Sequence, residues 1–376
     1  MSQLTISWQD PDAARPALDV VVRLVAFTDR AFEAGDVTPF LMEPGPDRWW
    51  VWTADLPPDL RTSYQLCPAR DQPLRGQRVD GDRWAQIVAA GLPDPSCPDW
   101  LPPGCTYGNP DAAASVLSMP GALPQPWVAR RPGVPRGSLE GMRLDGGSVI
   151  HIYRSPGASN SPAPLLVIFD GHRLLATDVT ATFDNLAADG VLEQLTAVIV
   201  ESIRGSAPRG PSRIAGLTVA AGLESFVFGD LLAAVEARYP VNGDPASRVL
   251  AGHSLGAVAA LHLAARRPGL FGGVVAGSPA LWWPGENGQL SGADVAAAYA
   301  GARHAGRLFL DAGSEEGALL EDARAFRDCL VEAGHRPAYR EFHGGHDHAC
   351  WRGSLADGIT DVLGGAGHSQ GTRVRC

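Results

Sequence analysis

The stretch Arg248-Val-Leu-Ala-Gly-His-Ser-Leu-Gly-Ala257 decides the reading of this chain. It opens with a short apolar strand, Val249-Leu250-Ala251. It turns through Gly252-His253-Ser254-Leu255-Gly256. It continues as a helical run that stops before Pro268-Gly269. Strand, G-x-S-x-G, helix is the pattern of a nucleophile elbow, in which a strained turn lifts a serine hydroxyl above the sheet. Glycines two residues either side let strand and helix pack closely around it. The new helix aims its N-terminus and the Leu255 N–H at the site, which suits an oxyanion. Ser254 is the expected nucleophile. Out of this context the same letters would be a Gly-rich turn into a core helix.

Working outward from the elbow, the chain alternates strands and helices from Gly137 on. Val149–Tyr153, Pro164–Asp170, Leu195–Ile203, Gly272–Gly277, Gly306–Gly313 and Pro337–Phe342 read as strands, the second being apolar throughout. A helix is expected over 220–239, another up to about Ala333, and a last one over Trp351–Leu363. This rhythm predicts a mostly parallel sheet with helices on both faces. The earlier part reads as β structure: Asp19–Phe27, Arg48–Thr53 and Arg61–Cys67, with Pro and Asp-Gly turns between, suggest an antiparallel sandwich. Alternate members of the Trp49, Trp50, Trp52 cluster are expected in its core rather than on a ligand platform. Eleven prolines crowd the stretch from Pro93 to Pro135, which reads as a docked, extended connector. The expected organisation is a sandwich over 1–91, a connector over 92–135, an α/β domain over 136–364 and a frayed tail over 365–376. This boundary predicts that the later part folds and hydrolyses small aryl esters by itself.

The chain has 376 residues, 45% hydrophobic and 19% charged, with a formal charge of −10. That is the composition of a globular protein with a sizeable core, and it disfavours a general affinity for nucleic acid or anionic membranes. No stretch of about 18 apolar residues predicts a membrane span. The N-terminus has neither basic region nor apolar core, so it does not read as an export signal. Six cysteines are scattered without metal-binding spacing, and reduced thiols in the cytoplasm are the expectation.

A serine needs a base. His343-Gly-Gly-His-Asp-His348 follows the last strand, and His346, after two glycines, is the expected base, with His343 and His348 as rivals. An orienting acid should lie between serine and histidine in chain order. The loop after Leu308-Phe-Leu310 offers Asp311, Glu315 and Glu316. Glu316, deeper in the loop, ranks first and Asp311 second. A second oxyanion donor is expected from the Asp170-Gly171-His172 turn, through the N–H of His172 or Arg173. Arg204, Arg209 and Arg213 follow a central strand at the edge where α/β folds bind ligands, and could serve an anionic substrate.

Several stretches resemble the enterochelin esterase family, hydrolases of ferric catecholate siderophore trilactones within the esterase-D-like α/β-hydrolase group. They are VIFDGHRLL, VIVESI with Arg213-Ile-Ala-Gly-Leu217, VLAGHSLGAVAALHLAARRPGLFGGVVAGSPALWWP, and GGHDHACWRGSL. Earlier in the chain RTSYQL, Asn109-Pro110-Asp111 and SVLSMPGALPQPW carry it too. The resemblance implies an α/β hydrolase preceded by an all-β, immunoglobulin-like sandwich that caps the active site. It implies Ser254 and His346 as nucleophile and base, and Arg213 against the acyl-catechol group. Trp283, Trp351 and Arg352, within the two most specific stretches, are further candidates for substrate contact. The family usually carries Glu at Gly216 and Gln at His253; these departures bear on which siderophore is used. The expected activity is release of iron from a ferric catecholate siderophore, with no metal or cofactor of the protein's own. A feruloyl or other acyl esterase, an acyltransferase, and a non-catalytic siderophore-binding protein are the alternatives.

Overall fold

The computed structural model describes residues 1–106, 108–158, 160–192, 194–203, 211–285, 289–301 and 306–364. The chain divides into two compact units. The first is Met1–Pro124 together with Gly313–Gly317 and Glu341–Arg352; the second is Gln125–Ala312, Ala318–Arg340 and the chain from Gly353 on.

In the first unit, strands β1 (Ser2–Gln9), β4 (Trp49–Leu56) and β3 (Glu43–Pro44) form one sheet in that order. Strands β2 (Asp19–Leu24), β5 (Arg61–Ala69), β7 (Ala114–Ser118) and β6 (Trp100–Leu101) form another. Every pairing is antiparallel. The core between the sheets is built by alternation. Ile6, Trp8, Trp50 and Trp52 meet Val20, Val22, Leu24, Tyr64 and Leu66. Trp49, out of phase, is 42% exposed. Val21, Cys67 and Ala69 point the other way, where Trp84 and Ile87 of helix α2 (Gly81–Ala89) cover them. That second layer explains why β2 is buried at every position.

The strand pattern gave no sign of α2 or of the short helix α1 (Thr28–Glu33). The proline-rich stretch, expected as a connector over 92–135, contains β6 and β7, and Leu92 bridges to Leu66. The unit runs on to Pro124 because the prolines separate short paired segments rather than preventing pairing.

The sheet of the second unit has eight strands in the order β15 (Ala338–Phe342), β14 (Arg307–Gly313), β13 (Gly273–Gly277), β12 (Arg248–His253), β10 (Leu165–Ile168), β11 (Thr196–Ser202), β9 (Val149–Arg154), β8 (Ser138–Arg143). From β14 across to β11 neighbours run parallel, while β9 and β8 are antiparallel. In β10, Leu165 and Val167 enter one core layer and Leu166 and Ile168 the other, so an unbroken apolar run is required. Helices α3 (Gly171–Ala176), α4 (Val179–Ala188), α5 (Pro211–Thr218), α6 (Ala220–Ser225), α7 (Leu232–Glu236), α8 (Leu255–Arg266), α9 (Gly292–Gly301), α10 (Ala318–Glu332) and α11 (His348–Leu363) complete the α/β architecture. The helix expected over 220–239 is α6 and α7 joined by a π-helical turn at Phe226–Leu231. Helix α8 is buried at Ala257, Ala259 and Ala260, small residues that let it lie close to the sheet. Among the described residues no helix is long and apolar enough to cross a membrane. The tail 365–376 lies outside them.

Candidate active site

The second unit carries the serine. Strand β12 lies between β10 and β13, and its chain reverses into α8 at Ser254, whose φ of 57° and ψ of −124° are a costly conformation for a residue with a side chain. Two contacts hold the strain: the Ser254 N–H donates to the Gly277 carbonyl (2.9 Å), and the Ala280 N–H donates to the Ser254 carbonyl (3.2 Å). Gly252 is obligatory, because a Cβ there would stand 2.3 Å from the Gly256 carbonyl carbon. Leu255 is the first residue of α8, so its N–H belongs to the donors that a helix start leaves unpaired in its own ladder.

Strand β10 ends at a comparable turn. Asp170 has φ of +64°, and Gly171 opens α3 against β11, where a Cβ would meet Ile199 Cγ2 at 2.7 Å and the Val200 carbonyl oxygen at 2.9 Å. Asp170 is a residue that sequence reasoning noticed only as part of a turn. Its two oxygens take the Arg213 Nε and Nη2 at 2.5 Å each. Burial alone would raise the Asp170 carboxyl; the adjacent Arg213 charge and its hydrogen bonds hold it below the usual carboxylate range. Asp170, Arg213, Glu201 and Leu217 line one small cavity. Arg213 is thus fixed by a partner distant in sequence. Half-buried His172 follows Gly171 in α3. Arg204 and Arg209 lie outside the described residues.

The first unit carries the imidazole and its acid. His346 Nδ1 is 3.0 Å from Glu316 Oε2, and the Gly313 N–H donates to Glu316 Oε1 (2.9 Å). The Glu316 side chain is 0% exposed. A proton on Nδ1 shared with this carboxylate leaves Nε2 as the basic nitrogen. The other acids are occupied differently. Glu315 pairs with Arg30 and lies 3.2 Å from His343 Nε2. Asp311, at the end of β14, is buried with Arg340 Nη2 at 3.6 Å. His343 Nδ1 meets Asp59 (2.8 Å), and His348 is buried.

The expected substrate contacts divide. Trp351 is 1% exposed, and its ring packs edge-on against His346 at a centroid distance of 4.6 Å, so it fixes the imidazole rather than facing a ligand. Arg352 is engaged by Asp99, with one Nη1 contact of 3.0 Å. Half-buried Trp283 packs against the central core, whereas its neighbour Trp282 is the solvent-facing ring, 55% exposed. A double tryptophan in sequence does not tell which member turns inward.

The model of a family described as putative esterase matches residues 147–362, and that of the enterochelin esterase N-terminal domain matches 3–128. The iron(III) enterobactin esterase of Dickeya dadantii is 26% identical, over 96% of this chain and 88% of its own. The iron(III) salmochelin esterase of Escherichia coli is 28% identical, over 95% and 86%. The crystal structure of ferric enterobactin esterase from Salmonella typhimurium superposes with a TM-score of 0.80 at 24% identity, covering 96% of this chain and 93% of that one, which establishes a shared fold. With both halves matched in order and two α/β and β-sandwich units in the structure, the chain belongs to the enterochelin esterase family and is a carboxylic ester hydrolase.

Proposed function

We propose that this hydrolase cleaves the ester bonds of a ferric catecholate siderophore trilactone and so releases iron in the cytoplasm. The observation that carries the reaction type is the buried Glu316 carboxylate on His346 Nδ1, in a chain whose serine sits on a strained elbow. The relatives named as enterobactin and salmochelin esterases, matched over nearly the whole chain, support the substrate class. Cys67, Cys97, Cys105, Cys329 and Cys350 are all free thiols, in keeping with a reducing compartment.

In this reading Ser254 Oγ attacks the ester carbonyl and His346 Nε2 takes its proton. The Leu255 N–H and one from the turn at Gly171 hold the oxyanion. His346 returns the proton to the departing alkoxide. Water, deprotonated by the same nitrogen, then hydrolyses the acyl-enzyme and frees Ser254. Iron enters as part of the substrate. Arg213, aligned by Asp170, contacts the catecholate or its amide.

Incubating the purified protein with ferric and iron-free trilactones, and weighing the products by mass spectrometry, tests the reading. Linear ester fragments should appear with wild type. Ser254→Ala should lose on the order of a thousandfold or more in kcat with its fold intact. Turnover by the pure variant at the wild-type rate would refute Ser254 as nucleophile.

A further inference from the structure

The histidine loop carries a second carboxylate with no place in the reaction above. Asp347 follows His346 directly, is 1% exposed, and lies in the same unit as β5. Its Oδ2 accepts the Ser63 N–H, with the Thr62 hydroxyl at 3.3 Å. Its Oδ1 accepts the Ser63 hydroxyl (3.0 Å) and the Ala349 N–H (2.9 Å). Each oxygen therefore takes one backbone amide from a different direction, one from β5 and one from the start of α11. The Asp347 carbonyl also accepts the N–H groups of Cys350 and Trp351 at 3.1 Å each, which places Trp351 for its edge contact with His346.

The loop is pressed against the same strand elsewhere. The Arg61 N–H donates to the His343 carbonyl (2.9 Å). A Cβ on Gly344 would lie 2.6 Å from the Arg61 carbonyl oxygen, and one on Gly345 would lie 2.9 Å from Ala26 Cα. The two glycines thus permit close approach rather than looseness.

A buried carboxylate surrounded by neutral donors is an expensive way to start a helix. A serine on the surface would cap α11 at far smaller desolvation cost. Burial pushes the Asp347 carboxyl up, against the pull of Ser63 and Ala349. What the arrangement gains is a fixed point one residue from the imidazole.

We propose that Asp347 is a positioning residue for His346: it clamps the base's loop to Thr62 and Ser63, so that a strand of the β-sandwich serves the hydrolytic step itself. This rests on the reading of His346 as the base. The clamp acts on proton transfer, so it changes kcat on any ester and leaves ground-state binding alone.

The test uses the full-length protein and p-nitrophenyl acetate, a small neutral ester, with circular dichroism and thermal unfolding as fold controls. Asp347→Asn has a single acceptor for two amides. It should lower kcat by about a hundredfold, the effect of a displacement of about 1 Å, with KM nearly unchanged. Ser63→Ala keeps the amide and loses the hydroxyl, and should cost about tenfold. The double variant should be no worse than Asp347→Asn alone, because both break one clamp. The rate at which a fluorophosphonate labels Ser254 should fall in parallel. Folded variants with wild-type kcat and labelling rate would overturn the proposal. So would equal losses explained by KM. Should Asp347→Asn fail to fold, Ser63→Ala decides alone: a wild-type kcat overturns the clamp. Ser254→Ala and His346→Ala, run alongside, separate the two readings. If they remain active the reading of Ser254 as nucleophile and His346 as base fails, and the clamp with it; if they are dead while the clamp variants are normal, only the clamp fails.

Discussion

Three carboxylates lie within six residues at the end of β14, and their surroundings give them different work. Glu316 has one oxygen on the Gly313 amide and the other on His346 Nδ1. Glu316→Gln leaves one of these donors facing an amide NH2 and unsettles the imidazole tautomer, so kcat should drop on the order of a thousandfold or more. Asp311→Asn should act on stability instead, because Asp311 is buried with Arg340 at 3.6 Å. Glu315→Gln, partnered by Arg30 and His343, should be the mildest in kcat. Steady-state kinetics and thermal unfolding of the three variants check the order; a larger kcat loss in Asp311→Asn would reverse it. That Glu316 meets His346 was legible in sequence, since a residue deep in a loop can turn toward a histidine. The fates of Trp351 and Arg352 were not. An aromatic or cationic residue after a motif has the same letter whether it packs on the histidine, pairs with an aspartate or faces solvent. Asp170 was hidden for a related reason: its partner Arg213 lies 43 positions away in the chain.

At the scale of elements, the elbow is made by what glycine lacks. Gly252→Ala would drive a Cβ to 2.3 Å from the Gly256 backbone, and Gly171→Ala would meet Ile199 and Val200 at 2.7 and 2.9 Å. Both should destabilise by about 3 kcal/mol or more, at the upper end of overpacking costs because rigid backbone is what must yield. Gly243→Ala, with nothing within 4 Å of the new carbon, is the control and should be near neutral. Denaturant unfolding measures all three, and a neutral Gly252→Ala would mean that β12 and α8 can separate more readily than their packing implies. Strands buried on both faces, such as β10 and β12, were legible because every position must be apolar. Strand β1, absent from the sequence expectations, carries the alternation of a half-buried strand at Leu4, Ile6 and Trp8 and was legible. Helix α2 was less so: it buries only Trp84 and Ile87, too few to mark a period. Strands β6 and β7 were masked by the prolines around them.

At the scale of the whole molecule, the compact units do not follow the boundary that the strand–helix rhythm draws. That rhythm places everything after the prolines in one autonomous domain. Yet Gly313–Gly317 and Glu341–Arg352, which supply Glu316 and His346, belong to the unit built from Met1–Pro124. Sequence could not reveal this, because the ties are a backbone amide at Ser63, a carbonyl at Arg61 and a bare Cα at Ala26, none of which has a characteristic side chain. The consequence reverses the sequence-based expectation for a shortened chain. A protein beginning at Gln125 keeps the residues of all eight strands of the parallel-centred sheet and the Ser254 elbow, so it should retain helical circular dichroism. It loses the Ser63 amide and hydroxyl and the Thr62 hydroxyl that hold Asp347, and the Arg61 N–H that holds His343. Asp347 would then ionise freely in water and the Gly344-Gly345 segment would have no surface to lie against. Hydrolysis of p-nitrophenyl acetate should therefore fall by about a hundredfold or more in kcat, comparable to a misplaced catalytic group. If the shortened protein is folded and cleaves this ester at the full-length rate, Glu316 and His346 are aligned by the α/β unit alone, and the sandwich has no part in the chemistry.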